Sequence, residues 1–200
     1  RRQGGACLAP LLPEFLARYP DIELQLTLLD RFVDLVDEGY DVALRLTRTP
    51  PDQVVAKALM PVRYRLCSTV NAINGRKIET PADLAGHNCL HYGLREFGNE
   101  WRFQRDDDEV RVRVTSNVVV NNSEVVRDLL LADMGIGLVW NYAVDREIAD
   151  GRLISLLPDW TPVGPFGQTA YALWLPQTHL PPKIRVFVDF LADRLREMPA

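Results

Sequence analysis

The sequence predicts an α/β protein built from two lobes. Two stretches carry that prediction, because residues 22–46 and 118–139 each read as strand, helix, glycine and strand. A third observation is the change of texture near residue 100, where alternating strand patterns replace the helix-rich opening. With 200 residues and 47% hydrophobic content, the chain can bury one large core or two small ones.

The opening LAPLLPEFLARYP sets Leu8, Leu11, Leu12, Phe15, Leu16 and Tyr19 on one stripe of a helix over 8–18. Pro13 is tolerable there only near the first turn. In IELQLTLL, Ile22, Leu24, Leu26 and Leu28 alternate with Glu23, Gln25 and Thr27, the period of a half-exposed strand over 22–28. Phe32, Leu35 and Val36 share one face of a short helix over 31–38, with Asp30 as its cap and Asp34, Asp37 and Glu38 toward water. Gly39 supplies a left-handed stop. Val42, Ala43 and Leu44 are apolar on both faces, which predicts an interior strand over 42–46 with Leu44 in the core. Two strands joined by a helix should run parallel with a right-handed crossover.

PPDQVVAKAL and PVRYRLCST read as two extended segments separated by Pro61, and TPADLAG as a short helix between Pro81 and Gly86. WRFQ and VRVRV flank the polar turn RDDDE and predict antiparallel strands, since Val110, Val112 and Val114 alternate with Arg111 and Arg113. The run VVVNNSEVVRDLLLADMGIGLVW then repeats the earlier grammar. It reads as a strand over 118–120, Ser123 as helix cap, Val126, Leu129 and Leu130 as the apolar stripe, Gly135 as stop, and a strand from Ile136 to Val139. A helix over 142–149, the strand LISLL, a loop over 158–168, the strand AYALWL and an amphipathic helix opened by Pro182 complete the chain.

Composition excludes several classes of function. The net charge is −4, and no basic cluster exceeds Arg102 to Arg105, so phosphate backbones find no field to bind and any DNA contact must come from elsewhere. Three cysteines without CxxC spacing suit a reducing compartment and small buried side chains. His87, His91 and His179 form no HExxH, and neither a metal nor a cofactor is expected. No run of eighteen apolar residues predicts a membrane span. The start RRQGGACLAP has no secretory apolar region and no initiating Met, which predicts a cytoplasmic fragment of a longer protein. MGIGL is not a dinucleotide fingerprint, GxSxG is absent, and Asp106 to Glu109 lack the alternating ligands of a calcium loop, so no enzymatic constellation is expected.

Sheets with parallel strands bind ligands beyond the carboxyl ends of those strands. The ends fall at Leu29 and Asp30, at Arg45, Leu46 and Thr47, at Asn121, Asn122 and Ser123, and at Trp140 and Asn141. Backbone N–H groups at a helix N-terminus attract anions or polar oxygens, and Trp140 beside an amide offers a flat apolar wall. These ten residues are the candidate ligand site.

The order of LAPLLPEFLARYPDIELQLTLLDRFVDLVDEGYDVALRL, TPADLAGHNCLHYG, WRF, NNSEVVRDLLLADMGIGLVW, GRLISLLPDW and HLPPKIRVFVDFLADRL resembles the effector-binding domain of a LysR-type transcriptional regulator. The resemblance covers nearly all of the chain. It implies the type 2 periplasmic-binding-protein fold: two α/β lobes, joined by the crossing strands RYRLCST and TAYALWL, with an inducer held in the cleft. Lobe I would then comprise 1–63 plus 170–200 and lobe II 64–169. The first strand of lobe I, the linker helix and the winged helix-turn-helix domain would be absent from this chain. Position by position, the cleft loops implied by the resemblance fall on the same ten residues. One departure is Trp140-Asn141, where many members carry a proline.

The implied function is sensing of a small effector, aromatic or carboxylated, that controls DNA binding through the missing domain. A homodimer is expected, or a tetramer for the full-length protein. A transport solute receptor on the same fold is the alternative.

Overall fold

The structure, a computed structural model, describes residues 8–28, 35, 38–92, 99–163 and 167–196. Its elements in chain order are α1 Leu12–Arg18, β1 Ala43–Leu46, β2 Val55–Pro61, β3 Tyr64–Ser68, α2 Val70–Ile73, a 3-10 turn Pro81–Gly86, β4 Cys89–Tyr92, β5 Glu100–Arg105, β6 Asp108–Arg113 and β7 Val119–Val120. There follow α3 Ser123–Leu131, β8 Ile136–Trp140, α4 Asn141–Ala149, β9 Ile154–Ser155, β10 Thr161–Val163, β11 Thr169–Trp174 and α5 Pro182–Arg196. The chain divides into two compact units, one over 63–165 and one over 2–62 with 166–200.

In the 63–165 unit, a five-stranded sheet runs in the order β7-β4-β8-β3-β9. β4 lies parallel to both β7 and β8, whereas β3 is antiparallel to β8 and β9. The strand–helix–strand stretch read at 118–139 is therefore present, with β4 inserted between its two strands. Its helix α3 packs Val126 and Leu130, both fully buried, against β8. The approach is close enough that a Cβ on Gly137 would sit 2.9 Å from a Leu130 methyl, so strand and helix meet where only glycine fits. Trp101 and Phe103 bury one face of a second sheet, β10-β5-β6, whose hairpin turns at Asp106 with φ 51°.

Three details of this unit differ from the sequence reading. The helix cap is Asn122, not Ser123: the Asn122 Oδ1 accepts the N–H groups of Glu124 and Val125 at 3.0 and 3.1 Å. The stop is Asp133, not Gly135. Asp133 takes φ 61°, Met134 N–H reaches the Leu129 carbonyl and Asp133 N–H the Leu130 carbonyl, which is the Schellman pattern. Thr69 Oγ1 and Asn71 Nδ2 donate to the Asp133 carboxylate and hold it there. Gly135 is needed for another reason, since at φ 149° any Cβ would lie 2.2 Å from the Asn88 carbonyl oxygen. The stretch read as a loop at 158–168 contributes β10, which pairs with β5.

The other unit contains the sheet β1-β11-β2, antiparallel throughout. α5 lies on β2 and buries Ile184, Val188, Phe190, Leu191 and Leu195. Phe15 of α1 is fully buried, its ring 5.1 Å from Phe187 and 5.2 Å from Phe190. The Arg194 guanidinium closes over Glu14 and, with its hydrogen bond to that carboxylate as the main cause, lowers the Glu14 pKa.

Here the topology departs from expectation. The strand predicted at 42–46 forms as β1, but it pairs antiparallel with β11 and is an edge among the described residues. Leu44 is 36% exposed, so it is not a core residue. Residues 22–28 belong to no ladder among the described residues. Alternation reports which side chains face water, but a strand also needs a neighbour for its N–H and C=O groups. The helix read over 31–38 lies largely outside the described residues; Leu35 is buried and Gly39 takes φ 69°.

Candidate ligand-binding site

The parallel strands of the five-stranded sheet end together at Tyr92, Val120 and Trp140. Because β3 runs antiparallel to β8, its first residue, Tyr64, pairs with Trp140 at that same end. The sheet thus gathers Tyr64, Tyr92, Asn122, Ser123, Trp140 and Asn141 at its carboxyl edge. Four of the residues singled out in the sequence stand here, and Asn121 beside them is exposed.

Their environments differ. Asn122 is 9% exposed and its carbonyl oxygen is committed to capping α3. Ser123 is 2% exposed, and its hydroxyl shares a short hydrogen bond with the Tyr92 hydroxyl. Burial drives the Tyr92 pKa well up, opposed by that bond, so the phenol stays protonated and bridges β4 to the first turn of α3. Asn141, 1% exposed, exchanges two bonds with Arg63: its N–H donates to the Arg63 carbonyl at 2.9 Å, and its Oδ1 accepts the Arg63 N–H at 3.3 Å. The Trp140 ring, half-buried, stands nearly perpendicular to Tyr64 with centroids 6.5 Å apart. The edge therefore offers one aromatic wall beside a helix N-terminus whose position is fixed by buried hydrogen bonds.

In the second unit, Arg45 and Leu46 end β1, and Thr47 follows, all three half-buried. Thr47 Oγ1 donates to the Thr49 carbonyl at 2.9 Å, and its N–H reaches the Thr169 carbonyl at 3.4 Å. Gly167 presses on this loop, since a Cβ there would lie 2.7 Å from the Thr47 carbonyl carbon. Leu29 and Asp30 lie outside the described residues.

Tyr92, Arg63 and Gly167 were missed in the sequence reading. Tyr92 was accessible to the same strand-end rule, as the last residue of CLHY before Gly93. Arg63 acts through backbone atoms, which leave no residue-type signature; Gly167, whose missing Cβ admits the Thr47 backbone, was read only as part of the loop over 158–168. Elsewhere, Cys67 and Cys89 are fully buried free thiols pushed up to about 12, in both cases chiefly by burial. Among the described residues, no three His, Cys, Asp or Glu side chains converge as a metal site, and no helix is long and apolar enough to cross a membrane.

Comparison with known proteins gives this geometry a context. The model of the LysR substrate binding domain matches residues 3–196. The HTH-type transcriptional regulator CrgA of Neisseria meningitidis is 31% identical over 195 residues, covering 94% of this chain and 62% of CrgA. The HTH-type transcriptional activator TtdR of Escherichia coli is 27% identical, covering 94% and 60%. This chain thus spans less than two thirds of either regulator. The solved regulatory domain of CrgA, a LysR-type transcriptional regulator, superposes with a TM-score of 0.80 at 26% identity, over 95% of this chain and 92% of that domain. Both of these relatives are transcriptional regulators. On the family match and the fold together, the chain belongs to the LysR substrate-binding domain family.

Proposed function

We propose that this chain is the effector-sensing part of a cytoplasmic LysR-type transcriptional regulator, and that effector binding governs DNA contact through a separate domain. The carrying observation is the carboxyl edge of the five-stranded sheet, where the α3 N-terminus, tied to Tyr92 through Ser123, stands beside the Trp140 wall. The N-terminal dipole suits a carboxylate and the indole suits a ring or an apolar chain, so the favoured effector is a small aromatic or carboxylated metabolite. Leu29, Asp30, Arg45, Leu46, Thr47, Asn121, Asn122 and Asn141 are the further proposed contacts. No metal or cofactor enters this reading.

Thermal-shift measurements with benzoate and a panel of aliphatic and aromatic carboxylates test it, because a ligand that binds only the folded chain raises its melting temperature by mass action. For any hit, Arg45→Ala and Asn122→Ala should weaken calorimetric affinity while the fold persists. Unchanged affinity in both variants would move the site elsewhere. The chain should also pair as an isologous dimer through α1 and residues 22–28, where Leu16 and Leu26 are 39% and 43% exposed. A monomeric mass by light scattering across a micromolar dilution series would overturn that assembly.

A further inference from the structure

The opposite end of the five-stranded sheet holds a feature that effector binding does not use. Asn88 precedes β4 and α2 follows β3, so both stand at the end where β8 begins. Between them lies an open cavity of about 220 Å³, walled by Ile73, Asn74, Arg76, Gly86, His87 and Asn88. Arg76 Nη1 donates to the Gly86 carbonyl at 2.9 Å, which fixes the guanidinium across the cavity but leaves its charge uncompensated. Among the described residues, Arg76 has no ion pair and the His87 ring has no hydrogen-bond partner.

The neighbouring acid does not serve them. Asp83 Oδ2 accepts the N–H groups of Glu79 and Thr80, at 3.0 and 2.8 Å, and the Thr80 hydroxyl. The Asn88 amide is likewise spent on Asn117 and on the Met134 carbonyl. Burial first, and then repulsion by Arg76, lower the His87 pKa, while Asp83 acts in the opposite sense. A chain with 27 acidic and 23 basic residues thus sets the Arg76 guanidinium and the His87 ring in the wall of one concavity whose lining holds no carboxylate.

We propose that this cavity binds a small tetrahedral oxyanion, sulfate or phosphate, between the Arg76 guanidinium and the His87 imidazolium. Charge-assisted hydrogen bonds from both groups would replace the repulsion between them. An anion beside His87 favours its charged form, so binding takes up a proton and tightens as pH falls through the histidine range. The proposal stands apart from the effector reading.

The test is an NMR titration of the three histidine rings in sodium sulfate and in sodium chloride of equal ionic strength. The expected result is a His87 midpoint that moves up in sulfate, with His91 and His179 unchanged. R76Q should weaken sulfate binding about tenfold or more, as loss of a charged hydrogen bond does. A Cβ at Gly86 would sit 4.0 Å from Arg76 Nη1, in otherwise open space. G86D should therefore place a resident carboxylate there, raise the His87 midpoint in chloride and abolish the response to sulfate. Identical His87 titrations in the two salts would overturn the proposal. So would equal shifts at all three rings, or a sulfate response that survives either substitution.

Discussion

The two units use the same kinds of segment and join them differently. In the 63–165 unit, β7 and β8 flank β4 in parallel and α3 seals them with Val126 and Leu130. In the other unit, β1 finds its partner far along the chain, with Ala43 opposite Leu173 and the two strands antiparallel. Apolar periodicity was equally clear in the two stretches. It states which faces of a segment are covered, and says nothing about which strand lies alongside. A parallel pair needs a long crossover connection, and among the described residues only α3 supplies a helical one that packs back on its sheet.

The sharpest test of this contrast is at the aromatic cluster that holds the second unit together. Phe15→Ala removes a fully buried ring packed on Phe187 and Phe190 and should cost about 3–5 kcal/mol. Urea denaturation followed through Trp174, which is buried in the same unit, measures it. A loss below about 1 kcal/mol would show that α1 is not bound to α5 in solution. Leu130→Ala is the matching test in the first unit and should cost about 2–5 kcal/mol, since the methyl groups that meet Gly137 leave a cavity behind. Near-native stability there would break the pairing of α3 with β8 on which the contrast depends.

Asn122→Ala should cost about 1 kcal/mol, the usual worth of an N-cap, because two N–H groups lose their acceptor. Ser123→Ala separates the roles: as the first helical residue it caps nothing, and its removal takes one buried hydrogen bond from the Tyr92 hydroxyl. If Ser123→Ala lost helix propagation as Asn122→Ala does, the cap assignment would be wrong. This pair shows how far the sequence could be read. That a helix begins near NNSE was legible from its polar residues before an apolar stripe. Choosing between Asn122 and Ser123 was not, because both are good caps and the decision rests on Tyr92, thirty-one positions from Ser123, claiming the serine. The stop was likewise misassigned between Asp133 and Gly135. Glycine is the usual left-handed residue, but here the Thr69 and Asn71 side chains hold an aspartate in that role. Most elements of the 63–165 unit were visible as patterns; the short helix Val70–Ile73 and the strand Thr161–Val163 escaped, as did choices settled by side chains from distant segments.

The smallest expected effect decides the largest question about the second unit. An interior strand with both faces covered would make Leu44→Ala cost about 2–5 kcal/mol. β1 is an edge among the described residues, and the Leu44 side chain is 36% exposed. Truncation there gives up only part of the transfer free energy and leaves little cavity, so the loss should stay under about 1 kcal/mol. Urea titration of this single variant reads the outcome directly. A cost near 3 kcal/mol would mean that another strand covers β1 in solution. Residues 22–28 are the segment with the alternation to supply it, and the parallel arrangement first read from the sequence would then be restored.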